Sequence, residues 1–365
     1  MKVSVLQENL AKAIQTVSRV VGTRTSLPVL GNILIVAEKS ELTLSATNLE
    51  IALSVSIGCK IETPGKLSVP ARILHETVQG LASDKLQLTS QGDALEISSA
   101  QSQVTIQGIA ADEFPVIPEV NQKQTMHLPV VTIKDAFEKA VIAASLDESR
   151  PVLAGIYIKT SPELLTVAAT DSYRLAEEKI TITGLEEGSV ILPLRTVQEL
   201  IRLLAQTSEE TLIVTIGENE VRCELNAISL VSRLVEGNFP NYAQIIPADV
   251  PTKVVCSREE LMAAVRLAGV FARESAHTIK LTFDQDDIKI HAEAAQVGSN
   301  TSQVPCELTG KGTEISLNGK YLTDVLSVYS APQVELQLND KLDPFVIIPQ
   351  EKESTSLHLI MPLRS

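Results

Sequence analysis

The chain has 365 residues, of which 44% are hydrophobic and only 3% aromatic, and its formal net charge is −14. This composition is typical of a globular protein of two or three domains, and no apolar run reaches the ~20 residues that a membrane-spanning helix needs. The four widely spaced cysteines favour reduced thiols over disulfides or a zinc site, so we expect a cytoplasmic protein without metal or cofactor.

The predicted elements run from the N-terminus as strand, helix, several strands, helix and several strands, and then this order begins again. The first helix carries an apolar stripe from Leu10 to Val21, as in an amphipathic helix that packs on a core. The following strands alternate apolar and polar residues and are separated by turns such as "SQGDA". Ser257 and Glu260 form the capping-box pattern that predicts the start of a later helix.

Sequence motifs recur in this order along the chain. The segment "LTLSATNLEIAL" at 42–53 resembles "LTVAATDSYRLA" at 165–176, and "IKIHAEAAQ" at 288–296 is a weaker third copy. The helical segments "VPARILHETV", "LPLRTVQELI" and "LNGKYLTDVL" recur at nearly the same interval. Self-similarity at a fixed period is the signature of repeated structural units.

The repeats predict the fold class and the domain organisation. We expect an α+β protein of three homologous domains, each with two helices packed on antiparallel sheets. The expected domains are 1–120, 126–248 and 251–365, with Pro118 and Pro247 near the two boundaries.

The positive charges are expected on the helices and the negative charges elsewhere, in segments such as "TGLEEGS" and "FDQDD". Basic residues recur on the first helix of each repeat and at the start of each second helix; they are Lys12, Arg19, Lys134, Lys139, Arg266, Arg273, Arg72, Arg195 and Lys320. A net charge of −14 would ordinarily argue against nucleic-acid binding. If the basic residues lie on the helical face and the acidic residues on the sheet face, the helical face could still attract DNA.

Four segments give the chain a family resemblance: "LPVLGNILI" at 27–35, "ATDSYRLA" at 169–176, "EGNFPNY" at 236–242 and the terminal "IMPLRS". Together with the threefold repeat they resemble the β subunits, or sliding clamps, of bacterial DNA polymerase III over the whole chain. The resemblance implies a head-to-tail homodimer that closes into a ring of six domains. Helices would line the hole around duplex DNA. A clamp loader would open and close the ring with its own ATP, and the sequence of this chain shows no P-loop.

The resemblance also implies functional residues. It makes Arg24, Arg72 and Arg195 DNA contacts, and the repeats add Lys12, Arg19, Arg266, Arg273 and Lys320. Asp147 and Glu148 stand where relatives carry polar or aromatic DNA contacts. For the dimer interface we expect Val104 and Ile106 of one chain to meet Val270 and Phe271 of the other, although burial within a single domain is the alternative for Val104.

The implied partner site is a groove between the second and third domains. DNA polymerase III α subunit, the clamp loader, other polymerases and repair proteins would insert a short peptide there, typically Gln followed by Leu and Phe. The matching positions are Leu153, Thr170, Ser172, Tyr173, Arg174, Leu175, Pro240, Ile245, Leu359 and Met361, with a second part at Asn318, Tyr321, Phe345, Pro362, Leu363 and Arg364. Tyr173 and Ser172 differ from the Gly-His pair of some relatives.

Two other functions are alternatives to a replicative clamp. A clamp-like scaffold paralogue could keep the ring but serve a non-replicative partner. An enzyme could use Asp171 and Arg174, but the five histidines are scattered and no catalytic constellation is visible in the sequence, so we expect a processivity factor without its own catalytic site. Retention on circular DNA but not on linear DNA would distinguish the clamp from the scaffold.

Overall fold

Alternation of apolar and polar residues builds most of the strands, whose side chains point in turn to the two faces of a sheet. In the segment EVRCEL, for example, every second side chain is buried. The structure is a computed structural model and describes residues 1–22, 27–81, 84–121, 123–296, 298–351 and 355–363. Within these residues, no helix combines the length and the apolar character needed to cross a membrane.

Six α-helices occur in the described residues, two for each sequence repeat. They are α1 (Gln7–Val17), α2 (Ala71–Gly80), α3 (Val130–Val141), α4 (Leu194–Gln206), α5 (Arg258–Ala272) and α6 (Gly319–Val328). The α1 helix ends before Val21, which has an extended backbone, because a 3-10 turn at Ser18–Val20 follows it. The predicted cap of α5 is confirmed, since the Ser257 hydroxyl accepts a hydrogen bond from the Glu260 amide.

The chain divides into two compact units. The first unit comprises Met1–Val130 with Thr207–Leu234. Its described residues form a five-stranded sheet in the order β5-β1-β7-β8-β9 and an eight-stranded sheet in the order β10-β15-β16-β17-β4-β3-β2-β6. Its strands are β1 (Lys2–Leu6), β2 (Asn32–Glu38), β3 (Glu41–Thr47), β4 (Ile51–Gly58), β5 (Lys60–Thr63), β6 (Gly65–Pro70), β7 (Lys85–Gln91), β8 (Ala94–Ser98), β9 (Gln103–Gln107), β10 (Gln124–Pro129), β15 (Thr211–Ile216), β16 (Glu220–Leu225) and β17 (Ile228–Arg233).

The second unit comprises Val131–Gln206 with Val235–Ser365. Its described strands form one antiparallel sheet of twelve, in the order β14-β11-β12-β13-β25-β24-β23-β18-β21-β20-β19-β22. They are β11 (Gly155–Ser161), β12 (Leu164–Thr170), β13 (Arg174–Thr181), β14 (Gly188–Pro193), β18 (Thr252–Ser257), β19 (Thr278–Phe283), β20 (Asp287–Ala294), β21 (Gly298–Thr309), β22 (Glu314–Asn318), β23 (Gln333–Leu338), β24 (Phe345–Pro349) and β25 (Leu357–Ile360).

The pairing of β13 with β25 joins the middle repeat to the third repeat within this sheet. In this antiparallel pair Leu175 lies opposite Leu359, and Ala176 lies opposite His358. Strand β24 then pairs with β25, with Val346 opposite Leu359. The last strand of the chain is therefore the link that makes one continuous sheet from two repeats.

Candidate functional site

A tight turn that occurs in two repeats organises the site. After β12, the Asp171 Oδ1 atom accepts hydrogen bonds from the amides of Tyr173 and Arg174, at 2.9 and 3.0 Å. The hydroxyl of Thr170 donates to the Arg174 carbonyl at 2.7 Å. Ser172 takes a left-handed backbone with φ of 81°. Short Asx side chains stabilise such turns.

The same turn follows β3 in the first repeat. There Asn48 Oδ1 accepts from the amides of Glu50 and Ile51, at 3.0 and 2.8 Å, and Leu49 has φ of 76°. The Thr47 hydroxyl donates to the Ile51 carbonyl at 3.0 Å. The sequence echo between "ATN" and "ATD" is therefore a structural echo. In the third repeat the equivalent residues 292–294, "AEA", are still part of strand β20 and include no Asx residue.

The two turns differ in the contacts made by Arg174, which reach beyond its own turn. Its Nε atom donates to Asp171 Oδ2 at 3.0 Å, and its Nη1 atom donates to Asp324 Oδ2 on α6 at 2.8 Å. Its guanidinium carbon also lies 4.3 Å from the centre of the Tyr321 ring, a cation–π geometry. Both oxygens of Asp171 are thus occupied by structural contacts, which favours an architectural role for Asp171 over a catalytic one.

An apolar floor lies on one face of the β13–β25 pair. Leu175, Val346 and Leu359 are fully buried at its centre. Tyr242, Ile246, Ile348, Leu357 and Met361 are partly buried against them. Leu175, Leu359 and Phe345 expose no surface. Leu175 and Leu359 belong to the floor itself, whereas Phe345 lies in the separate core of the third repeat with Ile347 and Ile360.

The remaining predicted groove residues differ in their exposure. Ser172, Tyr173, Pro240 and Ile245 are exposed; Asn318, Tyr321, Met361, Pro362 and Leu363 are partly buried; Leu153 and Thr170 are buried. Arg364 lies outside the described residues. The Met361 amide donates to the Tyr173 carbonyl at 2.8 Å, which fixes the C-terminal segment beside the turn. Asn318 caps α6, since its side chain accepts from the amides of Lys320 and Tyr321.

Several contributors to this region were missed from the sequence. Val346 lies in a strand that is buried on both faces, so the sequence pattern does not indicate on which face its side chain packs. Tyr242 donates its hydroxyl to Glu177 Oε2 at 2.8 Å, and burial raises the pKa of Tyr242. Phe239 stacks on Tyr157 with ring centres 4.7 Å apart. The aromatic residues of "NFPNY" were the available signal for this cluster.

The predicted basic positions are found mostly on exposed helix surfaces. Arg72, Arg195, Arg266, Arg273, Lys320 and Lys12 are exposed, Arg19 is partly buried, and Arg24 lies outside the described residues. Lys12 and Arg72 pair with carboxylates one turn away, Glu8 and Glu76. Exposed pairs of this kind contribute little stability.

The expectation for Lys139 was wrong. Its side chain is only 11% exposed and its Nζ atom contacts Asp135 at 2.7 Å. The reason is helical geometry, because residues five positions apart, such as Lys134 and Lys139, are separated by roughly 140° around a helix. Lys134 pairs with Glu138 at 3.0 Å. The exposed surface of α3 carries Val131, Thr132 and Asp135 and is not basic.

The loop before β11 and the expected interface residues are also located. Asp147 and Glu148 are exposed, and the hydrogen bond from the Ser149 hydroxyl is the main reason that the pKa of Asp147 is lowered. Val270 is 51% exposed and Phe271 is partly buried. Val104 is partly buried, whereas Ile106 is buried within its own unit. No group of metal-ligating side chains occurs in the part of the chain that the structure describes.

Comparison with known protein families covers almost the whole chain. Three family models match in succession: the N-terminal domain of the DNA polymerase III beta subunit at residues 1–118, the central domain at 127–241 and the C-terminal domain at 243–364. These matches follow the order of the three sequence repeats.

Individual relatives and solved structures agree with the family models. Beta sliding clamps of Synechococcus elongatus and Synechocystis are 30% and 31% identical, each over 100% of this chain and 99% of the relative. The DNA polymerase III subunit beta of Pseudomonas aeruginosa has a TM-score of 0.95 at 27% identity, with 100% of both chains covered. The beta subunit of Thermotoga maritima has a TM-score of 0.93 at 27% identity, over 100% of this chain and 99% of that one.

Proposed function

The chain belongs to the DNA polymerase III β-subunit family and is a DNA sliding clamp for that polymerase, and we propose that it works as a closed homodimeric ring around duplex DNA. The observation that carries this proposal is the succession of three clamp-domain matches along one chain. As a processivity factor, it would contribute retention on DNA, and the chemistry would belong to the polymerase. We place its action in the cytoplasm, where a bacterial chromosome is replicated.

The distribution of charge supports retention by enclosure. The chain carries 45 acidic and 31 basic side chains, yet exposed Arg72, Arg195, Arg266 and Arg273 recur on helices. A protein held on DNA by surface contact needs many phosphate contacts, each of which releases counterions and makes its affinity sensitive to salt. A ring needs only weak, sequence-independent attraction inside, and an acidic exterior disfavours DNA binding on the outside.

We infer that ring closure is head-to-tail, between the first domain of one chain and the third domain of its partner. Val270 and Phe271 on α5 are proposed to meet the edge that carries Val104. Such a closed heterologous contact leaves no free sheet edge at the junction. Ile106 lies on the same face of β9 as Val104 and is buried in its own unit, so Val104 is the residue of this pair that is proposed to reach the partner.

Light scattering tests the dimer directly. We expect an apparent mass near twice 39.4 kDa for the wild-type chain. Val270→Glu should shift the protein toward the monomer, because a buried unpaired charge is costly at an interface. Leu146→Glu is the matched control, since Leu146 is 85% exposed and lies outside the proposed interface. A strict monomer for the wild type at micromolar concentration would contradict ring closure.

The groove is proposed as the docking site for short peptides of DNA polymerase III α subunit, the clamp loader, other polymerases and repair proteins. An apolar floor with a few fixed donors at its edge is the usual form of a peptide pocket. A related clamp from Pseudomonas aeruginosa was solved bound to griselimycin, which supports a ligand-binding region on this fold. Ser172 and Tyr173 would shape the preference of this particular groove.

Met361→Ala is the sharpest test of the groove. Leu175→Ala would also remove a groove residue, but truncating a fully buried leucine costs about 2–5 kcal/mol of stability and confuses the outcome. Met361 is only partly buried, so its truncation should abolish polymerase stimulation while the dimer remains intact. Unchanged stimulation of primer extension by the Met361→Ala clamp would contradict the assignment.

A further inference from the structure

The C-terminal strand β25 is part of the proposed groove, and different contacts hold it in place on its two faces. It is only four residues long, yet it carries Leu359 and leads directly to Met361. On the groove side, its contacts are the apolar floor formed with Leu175 and Val346. On the opposite face, it is fixed by buried polar groups.

A buried polar chain connects the start of β25 to α3 and β13. The Lys139 ammonium donates to the Ser356 hydroxyl at 3.1 Å, and that hydroxyl donates to Glu178 Oε2. Lys139 Nζ lies 3.8 Å from the same Glu178 oxygen. The side chains of Lys139 and Glu178 are only 11% and 6% exposed. These contacts join residues that are far apart in sequence.

His358 completes this buried face. Its Nε2 atom lies 3.0 Å from the Lys139 carbonyl, which can only accept, so Nε2 carries the proton and donates. Nδ1 lies 2.7 Å from the Tyr329 hydroxyl, which is also 3.0 Å from the Ile347 carbonyl. In a neutral ring with its proton on Nε2, Nδ1 is an acceptor, so the single hydrogen of that hydroxyl is shared between Nδ1 and the Ile347 carbonyl. Burial lowers the pKa of His358 to about 4, so the ring is neutral at pH 7. This arrangement holds the middle of β25 in a fixed orientation.

Glu178 is a member of this chain of contacts whose carboxylate is incompletely hydrogen-bonded. Its Oε1 atom is buried, and no donor among the described residues reaches it. Burial raises the pKa of Glu178 to about 7, while the Ser356 hydroxyl and Lys139 act in the opposite direction. Asp135 from α3 and Glu177 from the same strand add a smaller upward effect, and Tyr329 is the other titratable group that interacts with it. A buried carboxylate with an unpaired oxygen costs free energy that the neutral acid avoids.

We propose that Glu178, acting through Ser356, is a positioning residue that sets how firmly β25 is held under the peptide groove, and that protonation of Glu178 tightens this hold. The link to peptide binding rests on the proposed function of the groove. When β25 opens, the carboxylate meets water and returns to its ordinary pKa of 4.5. The closed form therefore binds the proton more strongly, and raising the pH through 7 favours opening.

Hydrogen exchange on the full chain tests this hold without any ligand. After correction for intrinsic rates, amides of residues 357–361 should open about twofold more often at pH 8 than at pH 6. Ionisation of Glu178 alone raises opening about tenfold over this range, whereas His358, which returns to its ordinary pKa when β25 opens, lowers it about fourfold. Glu178→Gln should instead open about fourfold less often at pH 8 than at pH 6, because glutamine does not ionise and only His358 then titrates. An equal pH response in Glu178→Gln and wild type would overturn the proposal.

Glu177→Gln is the matched control. Glu177 is buried on the same strand, but its carboxylate faces the groove side and contacts Tyr242 at 2.8 Å and Lys179 at 2.6 Å. This variant should retain the pH-dependent opening of β25. Loss of the pH response in Glu177→Gln as well would show that Glu178 is not its source.

Peptide binding provides the second readout. A labelled peptide with a Gln-Leu-Phe core should bind Ser356→Ala about fivefold more weakly than wild type at pH 6, because the strand under the groove loses the hydrogen bonds of the Ser356 hydroxyl to Lys139 and Glu178. Glu178→Gln should bind as wild type does at pH 6. Unchanged affinity in Ser356→Ala would contradict positioning. If the wild type bound no peptide, the proposed groove would fail, whereas the exchange result would still stand.

Discussion

Arg174 and Asp324 are hydrogen-bonded at 2.8 Å although they belong to different repeats of the sequence. The bond connects the turn after β12 to helix α6, and both elements contribute predicted groove residues. Asp171 holds the other side of the guanidinium at 3.0 Å. Arg174 therefore spans the groove region as a brace, and most of its charge is already paired.

Asp324→Asn should weaken peptide binding by about tenfold, because a charge-assisted hydrogen bond to a mostly buried guanidinium contributes about 1.5–3 kcal/mol. Peptide titration by fluorescence anisotropy measures this loss. Glu314→Gln is the control, since its pairing with Lys280 at 2.7 Å is about half exposed and outside the groove. An equal loss in both variants would point to a general charge effect and contradict the brace.

The two Asx turns predict a difference in stability. Asn48→Ala and Asp171→Ala each remove an oxygen that accepts two backbone amides, which should cost about 1–2 kcal/mol of unfolding free energy. Asp171→Ala should cost more, since it also removes the carboxylate that pairs with Arg174. Denaturant unfolding measures both. Asp171→Asn should lose less than Asp171→Ala, and a reversed order would contradict the turn's role.

Glu178 and His358 should have opposing effects on stability across the same pH range. The raised pKa of Glu178, about 7 against 4.5, gives stability that is complete below pH 4.5 and is lost as the pH rises through 7. The lowered pKa of His358, about 4 against 6.5, gives stability that is present above pH 6.5 and is lost as the pH falls through 4. The two contributions largely cancel between pH 5 and 6.5.

Removing the titration of Glu178 should reveal the effect of His358 on the pH dependence of stability. Between pH 6.5 and pH 5, Glu178→Gln should lose about 1.5 kcal/mol of unfolding free energy relative to wild type, because only His358 then titrates in this pair. Denaturant unfolding at several pH values provides the measurement. Parallel pH profiles for wild type and variant would show that Glu178 has an ordinary pKa in the folded chain.

The exposed basic residues predict a salt effect. Arg72→Gln should reduce the slope of log affinity against log salt for a short duplex by about one, as for the loss of one phosphate contact. Lys289→Gln is the control, because Lys289 lies on strand β20 and pairs with Asp284 at 2.6 Å. A slope that falls equally for both variants would contradict a DNA-facing role that is specific to the helices.

Local features of this fold were readable from the sequence. The resemblance between the two segments that carry "AT" and an Asx residue corresponds to two equivalent turns, and this signal is local because the hydrogen bonds of an Asx turn lie within four residues. The capping of α5 by Ser257 was predicted for the same reason, and the family resemblance supplied the groove positions.

Long-range features were not readable in this way. Lys139 and Ser356 are 217 positions apart, so nothing in either segment indicates their hydrogen bond. The charge of Lys139 suggested a solvent-facing position, whereas its angular position on α3 directs it inward. Strands buried on both faces, such as β24, likewise lack the alternation that would show which side chains, such as Val346, pack with Leu175 and Leu359 and which belong to the other core.

Retention on closed DNA tests the central claim most directly. The wild-type clamp would be loaded by a clamp loader onto nicked circular DNA, the free protein removed, and the DNA then linearised. Enclosure predicts that the clamp stays on the circle and leaves after a single cut. Equal retention on circular and linear DNA would contradict it, because binding by surface contact does not depend on whether the DNA has ends.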